Sequence, residues 1–250
     1  MKMIRRFLFL ALLLCFFSQL ALAQAPTPLA AQIDVSKIMS SPQFSNSISL
    51  ILSLGLMSLV PFFLISVTSF LRIIIVFSMV RTAVGTQQVP PSVVIIGLAL
   101  FMTAFIMSPV WNEINENAVK PYNEGKISQG TAFEIGLKPL RKFMLKQTRE
   151  KDLALFVQFS RIEKPKTADD IPIYVLIPSF MISELKTAFQ IGFLLFIPFI
   201  MVDLTVANIL LSLGMFMLSP VIVSLPFKVL LFVLVDGWNL IARGLLMSFR

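Results

Sequence analysis

The sequence predicts an all-α, polytopic, membrane-type protein built of kinked helical hairpins. Three observations lead there. The 250-residue chain is 57 % hydrophobic and only 14 % charged, whereas soluble domains carry about 25 % charge. Its mean hydropathy is +0.88. Its apolar runs reach or exceed the length of a bilayer span, and lipid cannot satisfy backbone hydrogen bonds, so such runs must be helical. A membrane barrel would read as short alternating segments.

Composition also narrows the function. The formal charge is +8, but the basic residues form no dominant cluster interleaved with aromatics, so nucleic acid is not an expected partner. There is no histidine, and the single cysteine, Cys15, lies in the first apolar run. Zinc sites, disulfides and histidine-based triads drop out. Asp203 is alone among carboxylates in its segment, so an intramembrane aspartyl protease lacks its second acid. No catalysis and no cofactor are expected.

Residues 1–23 read as a secretory signal. Lys2, Arg5 and Arg6 are its basic region, Phe7–Phe17 its apolar core, and Ala21-Leu22-Ala23 its small-x-small cleavage site. The mature chain would start near Gln24 with a charge of +5, because three basic residues leave. An uncleaved signal anchor is the alternative. Residues 24–45 are rich in Ala, Pro, Ser and Gln and read as a loose exported arm.

Residues 46–110 are the N-terminal apolar helices. Ile48–Val80 is too long for one straight span and too short for two, and Pro61 is expected to bend or break it. Arg72 interrupts the run and is expected to snorkel to an edge or face protein. The linker Arg81–Pro91, with Gly85 and Pro90-Pro91, ends the first helix. Residues 92–110 form an uncharged helix of span length, and Trp111 marks an interface.

Residues 111–170 change character, with eleven basic and nine acidic side chains. Phe133, Leu137, Leu140 and Met144 form one helical stripe, with Pro139 expected to kink or shorten it. Thr131 with Glu134 fits a capping box. A short helix follows over Glu150–Phe159, then a loop over Pro165–Asp170. This is a small polar helical domain.

Residues 171–250 form the C-terminal apolar hairpin. Between 187 and 235 the only charges are Asp203 and Lys228. Gly192 and Pro198 are expected to interrupt the first arm, and Pro220 and Pro226 mark the return arm. Prolines in spanning helices are tolerated where neighbouring protein satisfies the freed carbonyls, so these helices are expected to pack on other chains. The turn is methionine-rich: Gly214-Met215-Phe216-Met217-Leu218-Ser219-Pro220. Centring the turn at Met215–Phe216 puts Asp203 and Lys228 at similar depth, and their opposite signs predict a pair, within one chain or between chains. Glu184 and Lys186 are two apart and do not share a helix face, so each is expected at another chain, an interface or a solvated edge.

Several stretches carry a family resemblance. They are Ser69-Phe-Leu-Arg72-Ile, Gln87-Gln88-Val-Pro90-Pro91, Phe143-Met-Leu-Lys146-Gln-Thr-Arg149-Glu-Lys-Asp152, Pro178-Ser-Phe-Met-Ile-Ser-Glu184 through Gln190-Ile-Gly192-Phe, and Ser224-Leu-Pro226-Phe-Lys228 through Asp236-Gly237-Trp238. In this order they resemble the FliP family, export gate proteins of the bacterial flagellar type III secretion apparatus. The resemblance covers about residues 45–250. Virulence-type gate subunits look similar through the membrane helices, but the signal and long arm resemble the flagellar branch more.

The resemblance implies a ring of five copies in a helical cone, joined by a small two-helix gate subunit and a larger related one. It implies a place in the inner membrane within the flagellar basal body, with the gate core at the periplasmic side. The cargo would be unfolded flagellar proteins. It implies further that Met215, Phe216 and Met217 line a pore constriction, where this chain has Phe216 in place of a purer methionine run. Methionine is unbranched and adapts to irregular gaps, which suits a compressible seal. Asp203, Lys228, Glu184, Lys186 and Arg72 are candidate intramembrane or interface charges, and Gln87 and Gln88 candidate subunit contacts. On the residues alone, a solute or proton transporter with Asp203 as relay, or a passive membrane assembly factor, stays open.

A signal-cleaved topology puts 111–170 and the C-terminus outside. Arg72 and Arg81 near the first inner loop agree with the positive-inside trend. The resemblance cautions against that picture, since it implies helices buried in protein above the membrane plane.

Overall fold

A computed structural model describes residues 42–249, apart from 87, 161–164 and 166. The signal expected at 1–23 and most of the arm expected at 24–45 lie outside the described residues. The described chain is helical. Its elements are α1 (Pro42–Val67), α2 (Phe70–Val84), α3 (Ser92–Ile114), a π-helical turn (Asn115–Val119), α4 (Lys120–Asn123), α5 (Gln129–Gln147), α6 (Glu150–Phe159), a 3-10 turn (Ala168–Asp170), α7 (Ile173–Ser212), α8 (Pro220–Leu234) and α9 (Gly237–Met247). Among the described residues, three stretches are long and apolar enough to cross a membrane: Ser49–Val67, Ser92–Asn123 and Ile173–Ser212. A fourth candidate is α8 with α9, bent by 61°.

The chain divides into two units, Met1–Ser58 and Leu59–Arg250. The described part of the first is the opening of α1, whose side chains from Ser49 onward are all exposed. A helix this apolar yet uncovered is made for lipid or for other protein.

The second unit holds everything else. Pro61 does not break α1; the break falls at Thr68–Ser69. Here hydroxyls compete with the helix ladder. Thr68 donates its hydroxyl to the Leu64 carbonyl and accepts from the Phe70 N–H (3.3 Å). Thr68 and Ser69 are buried, so the turn is covered by protein. The following α2 is the most enclosed helix, with Ile73, Val76, Phe77 and Val80 at 0–1 % exposure, and it packs mainly on α7 and α3. Gly85 ends it in the left-handed region (φ 84°), the conformation glycine adopts without strain.

The α3 helix runs on past Trp111 without a break at the change in composition. Its π-helical turn stops just before Lys120-Pro121. Proline has no N–H and its ring crowds the preceding turn, which a wider turn relieves. The cap of α5 is Ser128, whose hydroxyl oxygen accepts from the Thr131 N–H (3.3 Å). That corrects the capping box expected at Thr131 and Glu134. Pro139 is accommodated inside α5. The expected stripe frays towards the N-terminus: Met144 is fully buried, whereas Phe133 is 68 % exposed. The α6 bounds match the expected Glu150–Phe159.

One 40-residue helix, α7, replaces the interrupted arm expected from Gly192 and Pro198. Each interior proline forfeits one backbone bond, but leaving the helix would strand many more backbone groups in apolar surroundings. Gly192 serves packing instead, since a Cβ there would collide with the Met79 side chain at Sδ. The chain turns at Leu213–Ser219 and returns as α8. Asp236 (φ 50°) and Gly237, pressed against the Phe232 ring, then make the bend into α9.

Two apolar clusters result. The larger gathers Phe70, Phe77, Ile95, Ala99, Phe199 and Phe232 with Leu245 and Phe249. The smaller joins Met144 and Ile171 to Val175, Leu176 and Phe180. Phe143 packs against both.

Candidate functional site

The α7–α8 hairpin carries three features along its length. Its tip is apolar and bare: Met215 is 44 %, Phe216 77 % and Met217 100 % exposed. The turn is formed by backbone bonds from the Gly214 and Met215 N–H groups to the Leu211 and Leu210 carbonyls (3.0 and 2.9 Å), with Gly214 left-handed at φ 73°. These bonds satisfy the carbonyls at the end of α7 and make a compact turn. Met217 is wholly bare and Phe216 largely so, while Met215 is about half covered by the turn.

Below the tip, the arms enclose an apolar groove of about 530 Å³ lined by Val206, Ile209, Leu210, Val223 and Phe227 among others. Deeper still lies a polar clasp. Lys228 donates to Asp203 Oδ2 (2.5 Å) and the Ser224 hydroxyl donates to Oδ1. Both carboxylate oxygens are thus occupied from within the chain. Lys228 is almost fully buried, and Asp203 keeps about a third of its side chain exposed.

The remaining predicted charges join a node at the other end of the unit. Arg72 donates through Nε and Nη2 to the two oxygens of Glu184 (2.8 Å for Nε). Nη2 also reaches Gln147 Oε1, and Nη1 reaches both the carbonyl and the hydroxyl of Ser248, each at 3.0 Å. The pair is buried, with side-chain exposures of 2 % and 0 %. A fork-to-fork guanidinium–carboxylate pair with its remaining N–H groups satisfied is the form in which burial is tolerable. Of the two expectations for Arg72, facing protein is the one observed. Glu184 corrects the expectation that it would meet another chain or solvent.

Lys186 lies at a solvent-exposed edge, one of the places expected for it, and pairs there with Asp152 Oδ1. The Ser183 hydroxyl donates to Asp152 Oδ2 (2.8 Å) and accepts from the Arg149 N–H (2.8 Å). Arg149 Nη2 donates to Thr187 Oγ1 and Gln190 Oε1 (3.0 and 2.6 Å). This latch fixes α6 on α7. Burial pushes the Asp152 carboxyl up, but the Lys186 and Ser183 hydrogen bonds and the Lys186 and Arg149 charges prevail and hold it below its ordinary value.

Gln88 is exposed on the loop before α3, and Gln87 lies outside the described residues. Asp152, Ser183, Gln147 and Ser248 are the partners that sequence reasoning missed. Asp152, Ser183 and Gln147 sit within quoted motifs and Ser248 lies beyond the last of them, and partners 31 to 176 residues apart leave no spacing signal.

The motifs from Ser69 to Arg72, Phe143 to Asp152 and Pro178 to Gly192 therefore meet around one buried guanidinium and the latch beside it. Comparison with known proteins agrees with that convergence. The FliP family model matches residues 53–245. The chain belongs to the FliP family. It is 53 % identical over 205 residues to the flagellar biosynthetic protein FliP of Bacillus subtilis, covering 82 % of this chain and 93 % of that one. Its identity to the protein of that name from Pectobacterium carotovorum is 49 % over 203 residues, covering 81 % and 79 %. For Aquifex aeolicus the figures are 48 % over 207 residues, covering 82 % and 87 %. The region matched by the family model takes in the hairpin, its clasp and the Arg72–Glu184 pair of this FliP family member.

Proposed function

We propose that this chain is a pore-forming subunit of the flagellar protein export gate, and that the Met215–Met217 tip forms the constriction. Family membership supports a role in flagellar biosynthesis, and the long apolar helices support a membrane location. The observation that carries the constriction is the bare Met-Phe-Met tip at the apex of a hairpin stiffened by one internal clasp. An exposed apolar apex is stable only when covered. Five copies around an axis would cover each other's tips, and flexible methionines would close on themselves yet part for chains of varied sequence.

On this reading the protein is a transport component and not an enzyme. Its partners are other copies of itself, the small two-helix gate subunit and the larger related one, and its cargo is unfolded flagellar protein. It works in the inner membrane within the basal body, with the gate core on the periplasmic side. The division into signal, arm, N-terminal apolar helices, polar domain and C-terminal hairpin belongs to the same proposal.

Thiol cross-linking tests it. The mature chain would carry no cysteine, so Met217→Cys introduces a single thiol. Short bismaleimides applied to assembled basal bodies should join neighbouring copies through that thiol. They should leave Leu155→Cys, far along the chain in the polar domain, unlinked. Copies that remain monomeric in the Met217→Cys variant within assembled basal bodies would refute a shared constriction.

A further inference from the structure

The C-terminal residues hold a place that the gate reading does not use. Helix α9 ends at Met247, and the chain continues as Ser248-Phe249 into the Arg72 node. Arg72 Nη1 finds both its acceptors on Ser248. The Phe249 ring lies over the guanidinium, 3.8 Å from Cζ to the centroid. Its other neighbour is Phe143, with centroids 6.3 Å apart and planes at 20°, and Phe143 in turn meets Phe180 edge-on at 6.0 Å. The Gln147 amide donates to the Phe249 carbonyl (3.4 Å).

Three consequences follow from this geometry. A stacked cation–π contact and charge-assisted hydrogen bonds are strongest when water is excluded. Phe249 is itself 8 % exposed and belongs to the larger apolar cluster, while Phe143 also packs on the smaller one. The last residues therefore bridge the apolar cluster around α2 to the cluster of the polar domain. They also complete the hydrogen bonding of a buried cation that would otherwise keep an unsatisfied N–H pair, which is costly.

We propose that Ser248-Phe249 act as a strap that closes over the Arg72–Glu184 pair and holds α9 on the body of the chain. The α9 helix is otherwise held by Ile241 and Leu245 in the larger cluster and, at its start, by Trp238, whose ring meets Phe77 and Phe232; the strap secures its far end. Its buried face is Gly237, Ile241 and Leu245, and its other side, with Trp238, Leu240 and Met247, is exposed. Gly237 and Trp238 pack on Phe232 of α8 at the bend, which leaves the Met247 end of α9 to the strap. The strap thus couples the segment after α9 to the joint of α2, α5 and α7, so that this joint is finished only when Ser248-Phe249 are in place.

Hydrogen–deuterium exchange on the purified full-length protein in detergent micelles tests the strap. Two variants are compared with the parent: deletion of residues 248–250, and Phe249→Ala, which keeps the backbone acceptors. In the deletion, amides of 238–247 should exchange about tenfold faster or more, through local opening of α9. Exchange in α6 should stay at the parent rate, because the Asp152 latch does not touch the strap. Phe249→Ala should give a smaller acceleration confined to the same segment. Unchanged protection of 238–247 in the deletion overturns the proposal. So does acceleration spread evenly over α6, α7 and α9, which would mean general destabilisation. If the deletion does not fold, Phe249→Ala decides alone: unchanged protection of α9 in that variant also overturns it.

Discussion

The Arg72 node and the Met215–Met217 tip are opposite solutions to placing a demanding side chain. At the node a buried charge is answered entirely within the chain: Glu184, Gln147 and Ser248 take its N–H groups and Phe249 covers its face. At the tip an apolar group is answered by nothing, with Met217 wholly exposed. The contrast separates what this chain does for itself from what it leaves to others. A self-satisfied polar joint fixes the fold of one copy. A bare apolar apex is where, on the proposed gate reading, other copies would complete this one.

The sharpest way to break the comparison is to remove one half of the node. Arg72→Leu or Glu184→Ala should each cost about 3–5 kcal/mol by stranding the other buried charge, read as a large drop in unfolding midpoint in micelles together with loss of motility. A double change of both residues to apolar ones should cost less than either alone. If the single changes cost under about 1 kcal/mol, the node is not the joint described.

The clasp stands between the extremes, because Asp203 is only partly buried. Asp203→Ala and Lys228→Ala should each destabilise by about 1–3 kcal/mol. The swap Asp203→Lys with Lys228→Asp should regain part of the loss. Swap chains as unstable as the sum of the singles would show that the two charges are not each other's partners.

Gly192 probes packing near the node. Gly192→Ala places a methyl group on Met79, whose flexible side chain can give partly, so about 1–3 kcal/mol is expected from overpacking. Met79→Ala in the same chain should relieve much of it.

How far all this was legible depended on sequence distance. The α6 bounds and the hairpin arms follow from local pattern, and the Asp203–Lys228 pair follows from equal arms about a turn. Prolines misled because sequence reasoning weighs the bond lost at Pro61 or Pro198 and not the apolar surroundings that hold the rest of the helix together. The break went instead to Thr68-Ser69, where the Thr68 hydroxyl offers the backbone another partner. The Arg72–Glu184 pair spans 112 residues, and no periodicity links α2 to α7. Only the shared presence of both residues in family motifs hinted that they belong together.

A smaller effect is set by pH. Asp152 is held below its ordinary carboxyl value in the folded chain. Its contribution is therefore fully present above the unfolded carboxyl pKa and is lost as pH falls through the lowered folded value. Protection of α6 amides should weaken on acidification below about pH 4, and Asp152→Asn should flatten that dependence while lowering protection at neutral pH.

The central claim rests on the tip. Met215→Ala with Met217→Ala should change the stability of the isolated chain by no more than about 1 kcal/mol, since Met217 is wholly exposed and Met215 nearly half exposed. In the assembled gate the same double change should raise the leak of small ions across the inner membrane well above the parent level, with assembly intact. An assembled gate that is as tight with both methionines removed would contradict a methionine seal.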